Sequence, residues 1–258
     1  QPTQGMRSDL RRQQALRRND PEMLRVGLDM LAAKVANQAS VLRYFARYRK
    51  RTDEAAYRSL AASAENVRGL AELLAALDSS SAGVRAAAMG YEGRAAASYW
   101  AAFGSLIPGD LAFPRRHTRH ATDPVNSAVN YVYGVLYGEV WKAVIRAGLD
   151  PYFGIMHGSE RDQGSLIFDL IEEFRAPAAD RLVLGMIGRG FQPLLDKEGR
   201  LRSGARHKLV HAFHKQWRRP LHWRGRRRAL AEVLDLQVAS LRKTYLDGAE
   251  YRPFRFRW

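Results

Sequence analysis

The sequence predicts an all-α fold, and three observations carry that expectation. Apolar residues recur at helical spacing over most of the 258-residue chain. Two Asp-Pro pairs, Asp20-Pro21 and Asp123-Pro124, read as helix starts. Aspartate caps the free N–H groups there and proline suits the first helical position. Strand signals are confined to one turn, Asp196-Lys197-Glu198-Gly199, between Phe191–Leu195 and Leu201. This allows at most a small β-hairpin near 191–202.

Residues 1–20 read as a leader or linker. From Asp20-Pro21, the spacing of Leu24, Leu28, Leu31, Val35 and Ala39 predicts a helix to about Tyr48. Thr52 or Asp53 caps a second helix, through Leu60, Val67, Leu70 and Leu74 to about Asp78. A Ser/Gly loop follows, and a third helix begins near Val84, carrying Glu92, Tyr99 and Trp100. The Pro- and Arg-rich stretch 107–122 is irregular. Behind Asp123-Pro124, the stretch to about Ala147 is apolar nearly all round, as a central core helix is. Further helices are expected over about Gln163–Phe174, Ala178–Gly190, Ser203–Arg218 (with Ser203 as cap) and Arg226–Tyr245. One helical domain over 21–250 then ends in a tail, 251–258, that alternates aromatic residues with arginine.

The chain holds 42 Lys+Arg against 26 Asp+Glu, a formal net charge of +16. Such an excess repels itself in a compact fold, and a nucleic-acid partner offsets it by releasing counterions. The absence of cysteine excludes disulfides, thiol nucleophiles and thiolate zinc sites, and it fits a reducing compartment. No apolar run approaches the ~20 residues that span a bilayer, so no membrane partner is expected.

Against this basic background, acids gather between Gly154 and Asp180. Asp169 and Glu172 are three apart, hence on one helical face, beside an apolar stripe of Leu166, Ile167, Leu170, Ile171 and Phe174. A carboxylate there is partly desolvated and needs a cation. That cation is either a metal ion or an arginine, with Arg161, Arg175 and Arg181 near in sequence. His157 precedes the helix, and the turn 158–162 must fold its imidazole back onto the acids. Glu92 stands among small residues in Gly90-Tyr91-Glu92-Gly93-Arg94-Ala95, where another helix can approach closely. Carboxylates with one histidine suit Mg²⁺ or Mn²⁺ better than zinc.

Basic patches supply candidate nucleic-acid contacts. One is Arg115, Arg116, Arg119 and His120 in the irregular stretch. Others are Arg206 and Lys215 beside the histidines His207, His211 and His214, and Arg224 and Arg226. Trp217 and Trp223 flank these as possible stacking surfaces. The three histidines lack the glutamate of the zinc-protease helix. Neither G-x-S-x-G nor a phosphate-cradling glycine loop is present.

Several stretches, taken in order, resemble the CRISPR-associated spacer-acquisition integrase, the Cas-one family. They are Lys34-Val35-Ala36-Asn37-Gln38, Tyr91-Glu92-Gly93-Arg94-Ala95-Ala96, Asp123-Pro124-Val125-Asn126-Ser127-Ala128-Val129-Asn130-Tyr131, Ala147-Gly148-Leu149-Asp150-Pro151, Gly154-Ile155-Met156-His157 and Ser165–Arg175. The resemblance covers about residues 6 to 250. It implies a helical catalytic domain in which Glu92, His157 and Glu172 bind Mg²⁺ or Mn²⁺ and Asp169 is an auxiliary acid. It also implies strand transfer: the 3′-hydroxyl of a short DNA fragment attacks a phosphodiester of the CRISPR repeat, with endonuclease activity when water attacks instead. The implied partners are DNA, a second copy of the chain, a small bridging protein (Cas-two) and, in some members, a fused reverse transcriptase. The implied setting is the prokaryotic cytoplasm. Family members carry an N-terminal β-rich domain, and this chain starts where that domain should end. The alternatives are a casposon-type transposon integrase of the same fold and a non-catalytic helical nucleic-acid-binding module.

Overall fold

Helix capping sets the frame. In a computed structural model describing residues 8–111, 113–119, 121–157 and 164–256, Asp20 accepts from the Glu22 N–H and opens α2, Pro21–Arg49. Asp53 accepts from Ala56 and opens α3, Glu54–Ala75. Asp123 accepts from Asn126 and opens α5, Pro124–Arg146. Between them lies α4, Val84–Gly104. Each aspartate satisfies one of the N–H groups that a helix start leaves without a partner.

Helix α2 is the spine. Leu28, Ala32, Val35, Ala39 and Leu42 along it are wholly buried, and it packs on α3, α4 and the later helix α6, Ser165–Phe174. Helix α5 covers α6 from another side and also meets α8, Ser203–Trp217, and α9, Leu230–Asp247. Within the expected leader, α1, Ser8–Leu16, lies against α9. Its buried Gln14 exchanges two hydrogen bonds with the Asp150 backbone. The tail folds inward: Tyr251, Phe254 and Phe256 are buried, and Phe254 stacks on Phe174 with ring centroids 5.1 Å apart.

The all-α expectation holds, with local corrections. Phe191–Leu201 contains only one isolated antiparallel bridge, Leu195 to Leu201. The two-stranded hairpin lies later, β1 Pro220–Trp223 against β2 Arg226–Ala229. Arg224 (φ 48°) and Gly225 (φ 73°) both adopt the left-handed backbone that a two-residue hairpin turn requires. Helix α9 therefore starts at Leu230 rather than Arg226. Ser203 is the first residue of α8 and does not cap it by a side-chain hydrogen bond. The helix expected over 178–190 begins as a π-helical segment, Arg175–Asp180, continuous with α6, before α7, Arg181–Ile187. Pro177 has no N–H to give the regular ladder, and the wider turn accommodates it. Among the described residues, no helix is long and apolar enough to cross a membrane.

Candidate active site

Helices α2, α4 and α6 each contribute one charged side chain to a common point. Lys34 of α2 places its ammonium 2.7 Å from Glu92 Oε1 of α4 and 2.7 Å from Glu172 Oε2 of α6. Arg175, one turn beyond Glu172, donates to Glu172 Oε1 at 2.7 Å. All four side chains are largely removed from solvent, and Glu172 keeps only 3% of its exposure. Its Oε2 is sealed from solvent without a well-aligned hydrogen bond, so it depends on the Lys34 charge. Burial alone would raise the Glu172 pKa, but the charges of Arg175 and Lys34 outweigh it and hold the carboxyl below its usual range. Burial likewise opposes the Lys34 ammonium, and Glu172 and Glu92 more than restore it.

His157 lies within electrostatic reach of this cluster, on a short loop that Asp169 holds in place. The Asp169 carboxylate accepts from the backbone N–H of Ile155 (2.5 Å), Met156 (3.2 Å) and His157 (3.1 Å), and lies 2.7 Å from His157 Nδ1. A carboxylate at Nδ1 fixes the ring and leaves Nε2 for a ligand, the arrangement seen behind metal-binding histidines. Burial works against the imidazolium, but Asp169 and then Glu172 raise the His157 pKa above its ordinary value. Two glycines allow the loop to sit here. A Cβ at Gly27 of α2 would come within 2.5 Å of Met156 Cγ, and one at Gly154 within 2.7 Å of Ser165 Cβ.

The donor set of two carboxylates and one imidazole suits a hard divalent ion. The buried Glu172 oxygen, stabilised by an ammonium, shows that the site accommodates positive charge. Among the described residues, no three Asp, Glu or His side chains cluster closely enough to hold one ion as they stand. Asp169 is committed to the loop backbone, and Lys34 lies between the two glutamates.

Behind the cluster, Asp180 accepts from Tyr99 Oη (2.8 Å) and Tyr133 Oη (2.7 Å). Burial pushes its carboxyl up to about 6 despite these bonds. The Arg116 and Arg175 guanidinium groups lie 5.4 and 5.0 Å from the Tyr133 ring centroid. Arg116 is thus turned inward, where it also donates to Asn126 Oδ1 at 2.9 Å. Arg115, Arg119, Arg206, Lys215, Arg224 and Arg226 are exposed. His120 and Arg161 lie outside the described residues. The tryptophans do not offer stacking surfaces: Trp217 and Trp223 are buried, Trp217 stacked on Phe213 and Trp223 edge-on to Phe254. Trp223 helps seat the tail through Phe254, and Trp217 packs on Phe174 and Phe213.

The residue that sequence reasoning missed as part of the site is Lys34. The signal was available: it is a lone cation on the apolar stretch Met30–Ala39. Asn37, one turn on, was also missed. It donates to the Glu173 and Phe254 carbonyls and accepts from the Phe256 N–H, clamping the tail to α6.

A second cationic feature lies between α2, α7 and α8, in a cleft of about 860 Å³. Tyr44, Tyr48, Arg49, Arg181, Lys215 and Arg219 line it, with no Asp or Glu among the described residues. Burial, reinforced by the Arg219 charge and resisted by Tyr44, brings the Arg181 guanidinium down to about 10.

Fold and site together define a helical protein with a carboxylate pair gathered around positive charge. The family model described as CRISPR associated protein Cas1 matches residues 1–215, and the chain belongs to that family. It is 31% identical to "CRISPR-associated endonuclease Cas1 1" of Archaeoglobus fulgidus over 96% of this chain and 75% of that relative. It is 38% identical to "CRISPR-associated endonuclease Cas1 3" of Thermus thermophilus, over 65% of this chain and 53% of the relative. The chain therefore spans between half and three quarters of the length of these relatives. Among solved structures, the fold is shared with a casposase bound to integration product (TM-score 0.78, 20% identity, 95% of this chain and 68% of that one). It is shared too with a Cas1 protein from Thermotoga maritima (TM-score 0.74, 20% identity, 94% and 72%).

Proposed function

We propose that the chain is the helical catalytic domain of a metal-dependent DNA integrase and endonuclease of CRISPR adaptation. The observation that carries this reading is the meeting of Glu92 and Glu172, from separate helices, at one positive charge. Asp169 holds His157 within electrostatic reach of Glu172. Glu92, Glu172 and His157 Nε2 would hold a Mg²⁺ or Mn²⁺ ion. When bound, that ion supplies Lewis acidity toward a scissile phosphate and lowers the pKa of an attacking hydroxyl or water.

The protein's own groups do the rest. Asp169 accepts the Nδ1 proton of His157 and keeps its other nitrogen free. Arg175 and Lys34 hold the Glu172 carboxylate ionised and in place, Arg175 on Oε1 and Lys34 at Oε2. Arg116, stacked on Trp100 and Tyr133, lies on the same flank. No protein nucleophile is required: the 3′-hydroxyl of a short DNA fragment attacks the repeat, and a 3′-hydroxyl departs. The exposed arginines and the cationic cleft between α2, α7 and α8 suit a DNA backbone, which is bound by charge without base reading. We further propose that the domain, 21–250, acts as a homodimer with a small bridging partner (Cas-two), with or without an associated reverse transcriptase. A similar solved chain comes from a "Partial Cas6-RT-Cas1--Cas2 complex" (TM-score 0.74, 20% identity).

The test is a strand-transfer assay with a labelled fragment and repeat DNA. Glu92→Ala, His157→Ala and Glu172→Ala are each expected to abolish joining while DNA binding persists, and EDTA to stop joining but not binding. Undiminished Mn²⁺-dependent joining by Glu92→Ala would falsify the site assignment. Binding with no joining under any metal would leave the non-catalytic module as the reading. Preference for transposon ends over CRISPR repeats would favour the casposon-type reading.

A further inference from the structure

Lys34 is an unusual residue for its position. It lies on the buried side of α2, between Leu31, Val35 and Gln38, all nearly or fully buried. A lysine placed there carries a large desolvation cost unless it is paired. It is paired twice, with the Oε1 of Glu92 and the Oε2 of Glu172, each at 2.7 Å. With Arg175 on the other Glu172 oxygen, the cluster holds two carboxylates and two cations. It is already neutral.

That neutrality has a consequence for a divalent ion. Any ion taking up Glu92 and Glu172 is drawn to the same oxygens that the ammonium occupies. Both cations cannot share those oxygens at close range without strong repulsion, in a place where little water screens them. We propose that Lys34 is a resident counter-cation. It joins α2, α4 and α6 in the metal-free protein and leaves the carboxylate pair when the metal binds. The inference rests on the metal reading of this site. Its role is positioning and tuning: Lys34 keeps two like-charged carboxylates, Glu172 buried and Glu92 partly so, together before the ion arrives, and it weakens metal affinity by competing for them. Its flexible four-carbon stem lets the ammonium withdraw, which the shorter, backbone-anchored grip of Asp169 on the loop would not allow.

The test is Mn²⁺ binding by the protein alone, read by calorimetry or by the loss of the free-ion paramagnetic signal, together with thermal melting with and without the ion. Lys34→Met keeps the bulk and removes the charge. It is expected to bind Mn²⁺ on the order of tenfold more tightly, a factor that corresponds to about 1.4 kcal/mol. It should melt lower than the parent without metal and gain more from added Mn²⁺ than the parent does. If Lys34→Met does not fold, Lys34→Gln, neutral but able to donate to the glutamates, takes its place with the same expectation. Lys34→Arg, which keeps the charge, should bind Mn²⁺ no more tightly than the parent. Parent-like or weaker Mn²⁺ binding by the neutral variants, with parental binding abolished by Glu172→Gln, would overturn the counter-cation role and leave the metal site standing. Absence of any saturable Mn²⁺ binding by the parent would overturn both.

Discussion

Glu172 and Glu173 are adjacent in the chain, belong to the same helix and are both buried, yet the fold treats them in opposite ways. Glu172 faces the cations Lys34 and Arg175. Glu173 faces neutral donors: Tyr251 Oη at 2.5 Å, the Phe254 N–H at 2.5 Å and Gln237 Nε2 at 3.0 Å. Burial pushes Glu173 up to about 7 in spite of these three bonds, whereas opposing charge keeps Glu172 below its usual range. Neutral donors satisfy a buried carboxylate's geometry without compensating its charge; cations do both. One face of α6 is therefore built for charge and the other for holding the tail.

Breaking each side separates chemistry from stability. Glu172→Gln, which preserves shape, is expected to abolish DNA joining and to leave the tail docked, seen as unchanged protease resistance at 251–256. Glu173→Ala does the reverse. It leaves two buried donors, Tyr251 Oη and the Phe254 N–H, without their acceptor, a loss on the order of 2–5 kcal/mol, measured by chemical denaturation. Its residual joining, below the melting temperature, should exceed that of Glu172→Gln. If the two variants lose activity equally at equal folded fraction, the division of α6 into two faces is wrong.

How much of this was legible in the sequence follows from what kind of interaction placed each residue. Asp20, Asp53 and Asp123 act on N–H groups two or three residues away, so the starts of α2, α3 and α5 could be read locally. The acids Asp169 and Glu172 stood out because an apolar stripe flanks them. Glu92 stood out as an acid among small residues and His157 as an imidazole just before the acid-bearing helix, and the resemblance to the family joined them to Glu172 as one metal set. What could not be read depends on contacts distant in sequence. Glu173 looks like Glu172 until Tyr251 and Phe254 arrive from the tail, nearly eighty residues on. Arg116 reads as a surface cation until Trp100 and Tyr133 frame it. The hairpin at 220–229 was hidden by its arginines, which suggest a solvated run, while Arg224-Gly225 carried the turn signal.

Asp180 sharpens the comparison, because it too is buried against neutral donors, the hydroxyls of Tyr99 and Tyr133. Its folded value of about 6 exceeds the ordinary 3.8. The folded protein therefore holds this proton more tightly than the unfolded chain. The stability it contributes is full below about 3.8 and is lost as pH rises through about 6. Asp180→Asn cannot ionise. The stability difference should move in favour of the variant by about 2–3 kcal/mol between those limits, measured by denaturation at stepped pH. A shift the other way would mean that Arg116 and Arg175 govern Asp180 more than burial does.

Asp169 is intermediate: its carboxylate is held by backbone N–H groups and by His157 at once. Asp169→Asn keeps the size but weakens the grip on the loop and removes the charge that fixes the Nδ1 proton. The expected loss in joining is about 10–100-fold, the range for a group that orients a metal-binding histidine, smaller than the loss for Glu172→Gln. A loss as complete as that of Glu172→Gln would instead assign Asp169 to the ion directly.

The cleft between α2, α7 and α8 is the mirror case, cations gathered without carboxylates among the described residues. The Arg219 charge opposes the Arg181 guanidinium there, while Tyr44 supports it, and an external anion would favour both arginines. If a DNA phosphate does so, Arg219→Ala removes one counterion-releasing contact. Affinity should then fall modestly and equally for unrelated sequences, and the slope of log K against log salt should shrink by about 1. Metal-dependent joining at saturating DNA should be unchanged, because the exposed Arg219 is outside the cluster around Lys34. Relief of the Arg181–Arg219 repulsion should also make the free variant slightly more stable, by a few tenths to about 1 kcal/mol. An unchanged salt slope with raised stability would show that the two arginines sit together for reasons other than DNA, and would move the backbone path to the exposed arginines of α8 and the hairpin.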